Sequence, residues 1–129
     1  MADQDMWGDF RLEAVRTPVQ VLKEQAAALG PKTKYLVVAR VSTSTRHGDF
    51  YHELVLVVPA LDDYQYDLLQ LTHRIDLYPL ELEHYSDKSL SQTVNSELEL
   101  NIALQRALSS EKTKRIIASL IGQASAMAS

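Results

Sequence analysis

Hydrophobic spacing changes twice along the chain, from helical to alternating and back to helical. Val19, Leu22, Ala26 and Leu29 recur three to four residues apart, the spacing of one buried helix face. Thr17-Pro18-Val19-Gln20 predicts the start of that helix. It offers a threonine N-cap, a proline at the first helical position and a glutamine at the capping-box position. Val15 is placed to form a staple with Val21. Gly30-Pro31 predicts the end, because glycine accepts a left-handed C′ conformation and proline cannot continue the turn. From residue 34 the period becomes two, and β-branched and aromatic residues predict strands at 34–45, 50–58, 64–73 and 77–85. The connections are too short for parallel crossovers, so residues 34–85 read as a four-stranded antiparallel β-meander.

Beyond the polar Ser86-Asp87-Lys88 the helical period returns. Asn95 or Ser96 caps a helix with Glu97 and Glu99 in its opening turn and Leu100, Ala103, Leu104, Ala107 and Leu108 on its buried side. Ser109-Ser110 then interrupts, and Ser110 caps a last segment striped by Ile116, Ile117, Leu120 and Ile121. A serine pair is a weak break, so the two segments read as two helices or one bent helix. The expected organisation is a flexible arm at 1–14, one α+β domain at 15–123 and a frayed tail at 124–129. Trp7 and Phe10 either pin the arm to the domain or meet a partner chain.

Alternation assigns the strand faces. Phe50, His52, Leu54, Leu56 and Val58 share one side with Tyr64, Tyr66, Leu68, Tyr78, Leu80, Leu82 and His84, and this side should receive the helices. The same rule puts Glu53, Val55, Val57, Asp67, Leu69, Leu71 and Glu81 on the second side. Four aliphatic side chains there are too apolar for a bare face, so these seven residues form a candidate interaction face for a protein partner or a second copy.

Composition narrows the classes. With 129 residues, 46% apolar and 23% charged, the chain suits one globular domain. It has no cysteine, which removes disulfides, thiolate metal sites and thiol nucleophiles. No apolar run is long enough to span a membrane, and the acidic start (Asp3, Asp5, Asp9, Glu13) is unlike a secretory signal, so the expected location is the cytoplasm. Net charge is −4, and only Lys112, Lys114 and Arg115 cluster among the basic residues, which disfavours nucleic acid.

Candidate chemistry is sparse. His47, His52, His73 and His84 follow no metal-binding spacing, and adjacent His52 and Glu53 point to opposite faces. Glu53, Asp67, Glu81 and Glu83 can share a face, yet no carboxylate-x-lysine follows Glu24 on any strand, as a nuclease centre would need. Glycine-rich phosphate loops and a nucleophile elbow are absent. The expectation is therefore no catalytic, cofactor-binding or metal residue. Tyr51, Tyr64, Tyr66, Tyr78 and Tyr85 fall on or beside the strands, where tyrosine serves half-buried positions and interfaces alike.

The segments TPVQVLKEQAAALG, VVPALDDYQYDLLQLTH, IDLYPLEL and SSEKTKRIIASLI resemble a group of small uncharacterised bacterial proteins. The resemblance implies a bacterial cytosolic protein and carries over no functional residue. The reading that follows is a non-enzymatic protein-interaction module, dimeric or partner-bound, of which an immunity or antitoxin-type inhibitor is one form. The alternative is a small enzyme or ligand binder with a pocket between meander and helices, where His52, His84 and tyrosine hydroxyls would converge.

Overall fold

The computed structural model describes residues 5–12 and 15–128. Helix α1 (Pro18–Lys32) precedes strands β1 (Val38–Arg46), β2 (Asp49–Val58), β3 (Tyr64–His73), β4 (Leu80–His84) and β5 (Gln92–Val94). Helices α2 (Glu97–Leu108) and α3 (Glu111–Ala128) follow. The five strands form one antiparallel sheet in chain order. Residues from α1, α2, α3 and one sheet face make a single core cluster.

The sheet has one strand more than the alternation predicts. Asp87 caps a single 3-10 turn (Lys88–Leu90), and the chain then returns antiparallel to β4 as Gln92–Val94. Three residues, two of them polar, are too few for a periodic signal. The fourth strand begins at Leu80 instead of 77, because Pro79 supplies no N–H to the ladder.

At α1 the capping box forms as expected. Gln20 N–H donates to Thr17 Oγ1 and Thr17 N–H donates to Gln20 Oε1. Val15 stays mostly exposed, so it adds little to the expected staple on buried Val21. The helix passes Pro31 and ends at Lys32. Left-handed backbone falls on Lys34 and Tyr35, and the role of Gly30 is close packing: a Cβ there would lie 3.0 Å from the Tyr35 ring. Those residues are spent in the turn, which is why β1 starts at Val38.

The consequential departure lies in β3. Val55 pairs with Asp67 while Leu54 pairs with Leu69, so Leu68 is an extra residue opposite a single step of β2. A bulge of this kind reverses the alternation of the rest of its strand. Leu69 and Leu71, expected on the second face, are fully buried in the core cluster beneath the helices. The outer face is left with rows such as Ser42, Glu53, Gln70 and Glu83.

Ser96 caps α2 and Ser109-Ser110 does separate two helices. α3 continues past the expected end at 123 to Ala128, and Ala124 is fully buried.

The bulge makes a stability prediction. Leu71→Ala should cost about 2–5 kcal/mol, as for a buried leucine, whereas Val57→Ala on the outer side should cost less than about 1.5 kcal/mol. Urea unfolding of the two variants checks this; similar losses would contradict the placement.

Candidate functional site

The seven residues of the expected interaction face divide. Glu53, Val55, Asp67 and Glu81 lie on the outer face with half-buried Val57, while Leu69 and Leu71 do not. Val55 is itself buried, flanked across the strands by Arg40 and Asp67, and it stands outside the core cluster. Two carboxylates of this face, Glu53 and Glu81, are tied to neighbours. Tyr85 O–H lies 2.8 Å from Glu53 Oε2 and 2.7 Å from Gln70 Oε1. One hydroxyl hydrogen serves one of them, so a Gln70 amide turned to donate satisfies both contacts. Burial, and then Glu53, push the Tyr85 hydroxyl well above the usual tyrosine range, so it remains a neutral donor. Thr93 donates to Glu81 at 2.8 Å. Among the described residues no three of His, Cys, Asp and Glu gather to hold a metal ion.

His84 and His52 occupy separate environments. The N–H groups of Ser86 and Asp87 donate to His84 Nδ1, so its hydrogen sits on Nε2 and donates to Thr113 Oγ1 at 2.9 Å. Thr113 in turn donates to the carbonyl of Ala107. Burial lowers the pKa of His84, which suits a neutral clip between β4 and the α2–α3 junction. The expected convergence of His52 with His84 is therefore corrected: His52 meets His73 instead.

Phe50 pairs with His73 across β2 and β3, and His52 lies two residues along on the same side. This juxtaposition depends on the Leu68 bulge, since a regular register would put His73 on the other face. The two Nε2 atoms are 3.0 Å apart. His73 Nδ1 lies 2.5 Å from the carbonyl oxygen of Arg74 and must donate to it, so its Nε2 is an acceptor. His52 therefore donates through Nε2, and its Nδ1 accepts from the Thr43 hydroxyl at 2.9 Å. Phe50 stacks on His73 with ring centroids 5.2 Å apart. Both imidazoles are buried at the floor of an open groove of about 430 Å³, walled by Thr17, Val19 and Lys23 of the α1 start and by Ile75 and Leu77.

Two further grooves flank the helices. One of about 230 Å³ runs between α1 and the α2–α3 pair, floored by Ala39, Leu54, Leu56 and Leu68 and edged by Lys32 and Gln105. Another, of about 400 Å³, sets Lys112 and Arg115 of α3 beside Tyr64 and Tyr66; Lys114 does not line it. Tyr66 hydrogen-bonds Ser86 at its rear. The sequence cue for the histidine pair is limited to two histidines on neighbouring strands.

No protein-family model, curated protein or solved structure matches the chain. No helix among the described residues is long and apolar enough to cross a membrane.

The histidine pair predicts a pH dependence. Burial, then His73 and Lys23, hold His52 down at about 4, against 6.5 for a free imidazole. Between those values the unfolded chain binds a proton that the fold refuses. The contribution is fully present above about pH 6.5 and is lost as pH falls toward 4, by on the order of 2–3 kcal/mol. Urea unfolding at neutral pH and near pH 4.5 should show the loss, and His52→Gln should reduce it. An unchanged pH slope in that variant would contradict the assignment.

Proposed function

We propose that the chain is a protein-interaction domain that self-associates by placing its aromatic N-terminal arm in the apolar groove of a second copy. The observation that carries this reading is the arm itself. Met6, Trp7, Phe10 and Leu12 are 98%, 79%, 67% and 94% exposed. Large hydrophobic side chains this dense and this bare mark a contact surface. The groove between α1 and the α2–α3 pair offers an aliphatic floor and room for about one large aromatic side chain. Charge fits as well, since Asp5 and Asp9 flank Trp7 and Lys32 edges the groove. The outer sheet face, with its leucines turned inward and its carboxylates Glu53, Asp67 and Glu81 among the residues left, is the weaker surface for an apolar contact.

Light scattering on the purified chain at tens of micromolar tests the reading. The expected result is a dimer that Trp7→Ser with Phe10→Ser weakens by at least about tenfold, with the unfolding temperature unchanged at dilutions where both proteins are monomeric. Ala28→Arg, on the groove side of α1, should block the same contact. A monomeric wild-type chain, or a dimer indifferent to all three substitutions, would overturn it.

A further inference from the structure

Two imidazoles with Nε2 atoms 3.0 Å apart make a proton-sharing pair, and the same spacing suits neighbouring ligands of one metal ion. Nitrogens bound at about 2.0–2.1 Å lie about 2.9–3.4 Å from each other when they subtend roughly 90–110° at the metal. The far side of each ring is already held as ligand histidines are held. His73 donates Nδ1–H to the Arg74 carbonyl, which fixes its lone pair on Nε2. His52 Nδ1 faces the Thr43 hydroxyl, a group that accepts as readily as it donates. His52 can therefore move its hydrogen from Nε2 to Nδ1 while the Thr43 hydroxyl rotates to accept it. No proton is gained or lost, and both Nε2 lone pairs become available. The ring centroids are 5.0 Å apart, near a head-to-head arrangement, so each ring turns by roughly 40° to aim both lone pairs at one point off the N–N axis.

We infer that His52 and His73 form a two-histidine site for a borderline divalent transition-metal ion of the zinc, nickel and copper class, with its remaining positions open to the groove. Neutral imidazoles select these ions over calcium or magnesium, which require oxygen ligands. Among the described residues no third His, Cys, Asp or Glu gathers with the pair, which leaves the other positions to water or a small donor ligand. Lys23, whose charge already acts on His52, opposes the ion and lowers the affinity. Thr43 is a positioning residue, acting through His52.

Zinc or copper(II) alone, titrated calorimetrically into the full chain near neutral pH, tests the site. The expected result is one ion per chain, with a copper resonance spectrum showing coupling to imidazole nitrogen. His52→Asn and His73→Asn should each weaken binding at least tenfold, and Thr43→Val about tenfold. His47→Asn, in an exposed turn, should leave binding unchanged, and Lys23→Gln should tighten it. The spectrum of the wild-type protein reports the nitrogens even if a variant folds poorly. Absence of one-to-one binding, a spectrum without imidazole coupling, or binding that survives loss of both histidines would overturn the inference.

Discussion

One extra residue in the third strand sets the chemistry of both sheet faces. Because Leu68 stands opposite no partner of its own, Leu69, Leu71 and His73 turn toward the helices in step with Leu54, His52 and Phe50. Four consecutive positions would alternate in a regular strand; here Leu68 and Leu69 are both buried on one side. Three consequences follow together. The core gains two fully buried leucines, the outer face becomes a polar surface, and a second imidazole arrives beside His52. Removing the bulge would require two leucines in water and a histidine on a carboxylate-rich face, so burial itself fixes the register.

Polar contacts then place the helices on that sheet. Arg16 donates to Glu24 of α1 and to Glu97 of α2, joining α1 to the N-terminal end of α2, although exposed pairs of this kind add little stability. The buried clip from His84 through Thr113 to the Ala107 carbonyl is a stronger constraint, because each donor and acceptor in it would be costly to leave unpaired. It fixes the angle at which α3 leaves α2. With α1 held at one end and the α2–α3 junction at the other, the helices leave part of the sheet floor open. The apolar groove and the histidine groove are two such openings.

Much of the fold was legible in the residues. Thr17, Pro18 and Gln20 specified the first helix start, β3 ran over the expected residues, and Ser96 and Ser109-Ser110 divided the last two helices as their capping chemistry implies. What was not legible has physical causes. Alternation counts residues and cannot register an insertion, so the face assignments within β3 beyond Leu68 were reversed, and with them two of the seven candidate interface residues, whereas those of β4 held. The run Leu68-Leu69-Gln70-Leu71 gives no sign of which leucine is the extra one, since all three are apolar. β5 was hidden by its brevity, and Gly30 by a role, contact with the Tyr35 ring, that depends on a turn not yet built. The pairing of His52 with His73 was invisible for the same reason as the buried leucines: it exists only on the shifted register.

The cysteine-free chain gives a clean background for testing that register directly. Single variants Asp67→Cys and Leu69→Cys, exposed to a water-soluble thiol reagent under native conditions, report which side each position faces. The bulge predicts rapid modification at 67 and protection at 69, lost only on unfolding. Comparable native reactivity at the two positions would mean that the strand alternates without interruption, and the histidine pair and the inward leucines would fall with it.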